Sequence, residues 1–219
     1  SLNMIFSGNP GTGKTTIARV VAEMFHAMGL LKSGHLVETD RGGLVAEYVG
    51  HTAKKTEEVF KSALGGVLFV DEAYAITNDG GSFGQECIDT LVKLIEDFRG
   101  EILVILAGYT KEMKDFMKAN SGLESSFPLQ IEFPDYTAEE LFEIGKDMIQ
   151  KKGFCLSEAA VPVLKEEIFT LKKHSRASSG NGRMIRNFVE EIVRRQSGRI
   201  AVSDVSEEDM ILLIPEDIA

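Results

Sequence analysis

Through the first 133 residues, short apolar runs take turns with stretches of helical spacing. Asn3-Met4-Ile5-Phe6-Ser7 is an apolar run that stops at a glycine-rich loop. From Lys14 to Met28 the apolar positions have helical spacing, which predicts a helix with Ile17, Val20, Val21, Met24, Phe25 and Met28 on its buried side. Leu36-Val37-Glu38-Thr39 predicts a second strand, and Thr52 to Ala63 a second helix. Val67-Leu68-Phe69-Val70 is apolar without alternation and bounded by Gly65-Gly66 and Asp71-Glu72, which suits a parallel strand covered on both faces. Phe83 to Phe98 and Lys111 to Ala119 predict helices on either side of a buried strand, Ile102 to Ala107. Leu129-Gln130-Ile131-Glu132-Phe133 is the fifth strand. Such alternation predicts an α/β domain: a parallel five-stranded sheet with helices on both faces.

The alternation ends at Phe133-Pro134-Asp135-Tyr136, and beyond it only helical patterns follow. Thr137 with Glu140 three residues later reads as a capping box that opens a helix to about Lys152. Ser157 opens a second helix, with Pro162 in its first turns, whose far end dissolves into a polar loop from Lys172 to Asn181. Gly182 to Arg199 is a third. The tail after Arg199 carries six acids and no Lys or Arg. The expected organisation is a large α/β domain over residues 1–135 and a small all-α domain over 136–219.

Composition narrows the function classes. Of the 219 residues, 43% are hydrophobic and 26% charged, enough apolar mass for a real core. The net charge of -10 disfavours nucleic acid and anionic membrane as partners, since both need clustered Lys and Arg. No apolar run is long enough to cross a bilayer and no signal peptide precedes the first motif. Two cysteines, Cys87 and Cys155, make no disulfide framework, so a cytoplasmic, reducing setting is expected. His26, His35, His51 and His174 are scattered and form no metal-ligand spacing. The chain opens Ser-Leu rather than Met, so we expect it to be part of a longer protein.

The chemistry lies in two short motifs. Gly8-Asn9-Pro10-Gly11-Thr12-Gly13-Lys14-Thr15 fits the P-loop pattern in full. Its glycines allow a tight turn whose N–H groups face inward, and the helix that follows presents its positive end, so the loop suits anionic phosphate. ATP is the expected nucleotide, bound by residues 8–15 and Thr16. Lys14 would reach the β- and γ-phosphates, and Thr15 would ligate Mg²⁺. Asp71 and Glu72 end the apolar strand 67–70 and read as a Walker B pair. Asp71 would hold Mg²⁺, usually through water, and Glu72 would polarise the attacking water, so the chain should hydrolyse ATP as well as bind it.

A P-loop, an Asp-Glu pair, an α/β domain of this size and a small helical lid together resemble the AAA+ ATPases. Val37-Glu38-Thr39-Asp40-Arg41, Glu47-Tyr48-Val49-Gly50-His51-Thr52, Gly65 to Tyr74 (GGVLFVDEAY), Ala107-Gly108-Tyr109 and Phe133-Pro134-Asp135-Tyr136 are similar to the CbbX/CfxQ branch. That branch includes the red-type Rubisco activases and the stage V sporulation protein K group. The resemblance covers nearly the whole chain. It implies a homo-oligomeric ring, expected to be a hexamer, that acts on a protein client. Tyr48-Val49-Gly50 resembles pore loop 1, the aromatic element that grips polypeptide in the channel; the alternative is Tyr48 packed under its own helix. Tyr109, with Thr110, falls in the sensor 1 region, where many relatives have Asn. Gly182-Arg183 resembles sensor 2, with Arg183 reaching over the γ-phosphate, although an Arg at a helix N-terminus opposes the dipole.

Two departures bear on activity. The branch has a helical segment before the first strand that helps hold adenine, and these 219 residues contain no counterpart. The branch also reads Asn-Pro-Gly-Leu-x-Ser-Arg-Phe before the fifth strand, where this chain has Asn120-Ser121-Gly122-Leu123-Glu124-Ser125-Ser126-Phe127. The arginine that would reach a neighbour's γ-phosphate is therefore Ser126. A changed residue, replacement by another base such as Lys118, and slow hydrolysis all fit. Three function classes stay open: a remodeller of protein clients, a nucleic-acid motor, and a nucleotide-binding switch or scaffold with little turnover. The acidic charge and the aromatic pore element argue against the second.

Overall fold

The computed structural model describes residues 2–48, 50–77, 82–175, 180–201, 206 and 209–219. Chain contacts divide it into two compact units: residues 1–9 with 13–133, and residues 10–12 with 134–219.

In the first unit the strands β1 (Met4–Gly8), β2 (Leu36–Thr39), β3 (Val67–Val70), β4 (Leu103–Gly108) and β5 (Leu129–Phe133) form one parallel sheet in the order β2-β3-β4-β1-β5. Parallel neighbours require crossovers, and helices supply them. They are α1 (Lys14–Ala27), α2 (Arg41–Leu44), α3 (Thr52–Ser62), α4 (Ser82–Asp97), α5 (Thr110–Ala119) and α6 (Ser121–Glu124). Strand alternation splits the core in two. Ile5, Leu68, Val70, Val104 and Leu106 join α3, α4 and α5 residues such as Phe60, Leu91 and Phe116. Met4, Phe6, Phe69, Ile105 and Ala107 face the other way and pack with Ala18, Val21, Ala22 and Phe25 of α1. Every residue of β3 and β4 is buried, as continuous apolar runs require.

The phase of α1 differs from the expected one. The buried side of α1 is Ala18, Val21, Ala22 and Phe25, whereas Ile17, Val20, Met24 and Met28 are exposed. The fully buried alanines let the helix lie close to the sheet, and the larger side chains one position away turn outward. Among the described residues β5 is an edge strand beside β1, and Leu129 to Glu132 are exposed. The short α2 and α6 and a 3₁₀ turn at Ala73–Thr77 were not anticipated. Asp40 caps α2 by accepting the Gly43 N–H at 3.0 Å.

The second unit is built on α7 (Ala138–Lys151), α8 (Ala160–His174), α9 (Asn181–Ala201) and the terminal α10 (Pro215–Ile218). Leu141, Ile149, Leu164, Ile168, Ile185, Val189 and Ile192 fill its core. The capping box of α7 is complete: Thr137 accepts the Glu140 N–H at 3.2 Å, and Glu140 accepts the Thr137 N–H at 2.8 Å. The unit is not purely helical. Two-residue strands, β6 (Cys155–Leu156) and β7 (Leu212–Leu213), pair in parallel. Asp217 in the acidic tail is buried and takes a bidentate pair from Arg199 at 2.9 Å on each arm. Part of the tail's charge therefore serves the fold. The polar loop expected from Lys172 to Asn181 starts later, since α8 runs to His174, and residues 176–179 lie outside the described ones.

Candidate functional site

Parallel strands place all their C-terminal ends on one edge, and the loops beyond that edge carry the motif residues. Gly8 ends β1, and Lys14 and Thr15 open α1. Gly11 and Gly13 hold φ of 73° and 92°, which L side chains rarely adopt. Gly13 is the N-cap of α1 and no side chain caps the helix, which suits an anion-binding N-terminus. The Lys14 ammonium donates to the carbonyls of Gly8 and Asn9 at 2.8 and 2.9 Å. Its charge is thus fixed at the mouth of the loop.

Asp71 and Glu72 follow β3 on the same edge. Asp71 continues the ladder by donating its N–H to the Thr39 carbonyl at 2.8 Å, and its carboxylate accepts the Glu72 N–H at 3.0 Å. Glu72 has φ 46°, a strained value for a residue with a side chain. The chain therefore turns sharply at the acid, which stays exposed. Tyr109 holds the N-cap position of α5 just beyond β4, the strand between β1 and β3. Its ring lies 6.0 Å from that of Tyr74. Burial first, and then the charge of Glu72, push the Tyr74 phenol up to about 12. The first unit thus brings Lys14, Thr15, Asp71, Glu72 and Tyr109 to one edge, although they span nearly a hundred residues.

Among the described residues no three His, Cys, Asp or Glu side chains cluster as an all-protein metal cage. The oxygen donors of Thr15 and Asp71 suit Mg²⁺, which is usually held by one or two protein groups together with phosphate oxygens and water. Thr16 is exposed on the first turn of α1. Tyr48 is 71% exposed, with its ring edge-on to His51 at 6.3 Å, so it does not pack under α3. Val49 lies outside the described residues.

In the second unit, Arg183 is exposed in the first turn of α9. Residues 10–12, the tip of the P-loop, group with this unit. The Gly182 N–H donates to the Gly11 carbonyl at 2.9 Å, the Tyr136 hydroxyl to the Thr12 carbonyl at 3.0 Å, and the Asn181 amide to the Pro10 carbonyl at 3.4 Å. Asn181 also donates to Asp135 Oδ1 at 2.8 Å and accepts the Tyr136 N–H at 3.1 Å. The sequence alone marks no role for Asn181 or Tyr136. The one signal available was an Asn directly before Gly182-Arg183 at a loop-to-helix junction, a residue that tolerates positive φ.

Ser126 lies away from these strand ends. Its carbonyl accepts the Asn3 amide at 3.2 Å, and it borders a cavity with Leu2, Arg99 and Leu103. Asn3 precedes β1, so this is the edge opposite the P-loop.

The family model for the ATPase family associated with various cellular activities (AAA) matches residues 4–135, and an AAA lid domain model matches residues 137–219. Stage V sporulation protein K of Bacillus subtilis (strain 168) is 45% identical, over 100% of this chain and 69% of its own length. Protein CbbX of Cereibacter sphaeroides is 40% identical, over 96% of this chain and 72% of its own. The chloroplastic ribulose bisphosphate carboxylase/oxygenase activase of Cyanidioschyzon merolae (strain NIES-3377 / 10D) is 38% identical, over 99% and 75%. Among solved structures, a RuvB Holliday junction branch migration motor of Thermotoga maritima aligns with a TM-score of 0.63 over 95% of this chain. The chain spans 59% of that RuvB chain at 21% identity, a likeness of fold alone. The chain therefore belongs to the AAA ATPase family, in the group that holds stage V sporulation protein K, CbbX, CfxQ and the Rubisco activase.

Proposed function

We propose that this chain is the ATP-hydrolysing unit of a homo-oligomeric ring that remodels protein clients, with residues 1–135 as its nucleotide-binding domain and 136–219 as its lid. The observation that carries this reading is the gathering of Lys14, Thr15, Asp71, Glu72 and Tyr109 on the C-terminal edge of one parallel sheet. Two inter-strand spacings, about 10 Å, separate β1 from β3. That distance suits a phosphate chain on one strand end and a water-activating acid on the other. Gly8, Asn9, Pro10, Gly11, Thr12 and Gly13 cradle the phosphates, Lys14 supplies positive charge, and Thr15 and Asp71 hold Mg²⁺. The ion neutralises the phosphate oxygens when bound. Glu72 orients and polarises the water, Tyr109 lies between the two groups, and Arg183 contributes from the lid. Tyr48, exposed on a loop, grips the client by contact area rather than by sequence.

Lys14→Ala should lose Mg-ATP affinity in a fluorescent-nucleotide titration. Glu72→Gln should keep affinity within a few-fold and lose turnover by about 10²–10⁴-fold, as expected for a general base. Equal loss of affinity in both variants would overturn these roles. Tyr48→Ala should keep basal hydrolysis within a few-fold but lose stimulation by an unfolded polypeptide such as casein. A switch with little turnover is the second reading, and Ser126 is the observation that favours it.

A further inference from the structure

The three hydrogen bonds to residues 10–12 fall on three successive carbonyls: Pro10, Gly11 and Thr12. A trans peptide is planar, so the carbonyl of one residue and the N–H of the next point in opposite directions. Fixing these carbonyls also fixes the N–H groups of Gly11, Thr12 and Gly13. Those are loop donors that a phosphate would meet in a P-loop.

We infer that Asn181 and Tyr136 are positioning residues that hold the P-loop amides in their phosphate-binding orientation. This rests on the nucleotide-binding reading above. Three features point to a built arrangement rather than a chance contact. First, Asn181 is 3% exposed, and both of its amide hydrogens and its carbonyl oxygen have partners. Its amide orientation is chemically forced: the Asp135 carboxylate can only accept, and the Tyr136 N–H can only donate. Second, Asn181 has φ 33°, a left-handed value that the side-chain bonds on both sides stabilise. Third, the backbones meet through two glycines. A Cβ on Gly11 would stand 2.8 Å from the Arg183 nitrogen, and one on Gly182 would stand 3.0 Å from the Gly11 carbonyl. A side chain at Gly11 would force the two segments to shift, and one at Gly182 would need the Gly11 carbonyl to give by a few tenths of an ångström.

The consequence concerns binding before chemistry. A loop whose amides are already oriented loses less entropy when phosphate arrives. Asn181 and Tyr136 act through the loop, without touching nucleotide themselves. Linkage makes the effect reciprocal: bound phosphate stabilises the same three bonds.

The test uses Tyr136→Phe, which removes one hydroxyl, and Asn181→Gly, which removes the amide and accepts the positive φ. Hydrogen exchange of the segment from Gly8 to Lys14 is measured without nucleotide, alongside the thermal midpoint. ADP and Mg-ATP affinities are then titrated, and kcat and KM measured. The expected result is faster exchange confined to the loop and nucleotide affinity weakened about tenfold, the scale of one or two hydrogen bonds. The kcat at saturation should stay within a few-fold and the midpoint should move little. Arg183→Ala should leave loop exchange as in the parent. Variants that match the parent in both exchange and affinity overturn the inference, as does a general loss of midpoint with no selective loop effect. A parent that binds no nucleotide refutes the proposed function, and the exchange measurement then decides the positioning role alone.

Discussion

Tyr74 shows how one side chain reports on the acidic edge it occupies. Burial, and then the charge of Glu72, Tyr109, Glu112 and Asp71 in turn, raise its phenol from an ordinary 10 to about 12. Between those values the folded chain keeps a proton that the unfolded chain has lost. Stability that is fully present below pH 10 therefore declines as pH rises toward 12. Absorbance titration of the phenolates should show a late transition near pH 12, and Tyr74→Phe should remove it. A late transition that survives Tyr74→Phe, or none at all in the parent, would contradict this. The residues of the P-loop and of the Asp-Glu pair were legible in sequence because each motif is contiguous and its chemistry follows from residue type. Asn181 and Tyr136 were not. Their partners stand up to 171 residues away, and nothing local marks a bond that only the fold creates.

Element by element, legibility followed the strength of the local signal. The capping box at Thr137 and Glu140 needs only three residues of spacing, and it forms as read. Thr137→Ala should lower the stability of the helical unit by about 1 kcal/mol in denaturant titration, the usual worth of an N-cap. A change within error would mean that Glu140 or water replaces the cap. The run 67–70 was equally plain, since a fully apolar strand fits only a doubly covered position. The phase of α1 was not. Its sequence is apolar on two adjacent stripes, so periodicity gives the period but not which stripe meets the sheet. The pair β6 and β7 also escaped, because two residues each, 57 positions apart, are too short to show alternation. β5 was found, but its exposure depends on being the edge of the sheet, which composition does not reveal.

For the whole molecule the decisive question is what a second copy adds. Ser126 bonds to Asn3 before β1, while the P-loop follows β1, so the strand separates them. Five residues of strand span about 17 Å. A group at Ser126 is therefore poorly placed to serve a nucleotide at the P-loop of its own chain. In a head-to-tail ring each subunit presents one such edge and receives its neighbour's. An arginine supplied in that way can be worth ~10³–10⁵ in rate for P-loop enzymes, because it stabilises charge on the transferred phosphoryl group. Serine carries no charge, and the exposed Glu124 two residues earlier would oppose the anion. Lys118, exposed in the last turn of α5, is the nearby base in sequence. We expect the parent to bind Mg-ATP but turn it over slowly. Ser126→Arg should raise turnover per subunit, and the gain should grow with protein concentration, since the added group acts between copies. Lys118→Ala in the parent separates the remaining option: a further fall would make Lys118 the substitute base. A parent that already hydrolyses ATP rapidly, or a Ser126→Arg gain that ignores concentration, would rule out a missing finger as the cause.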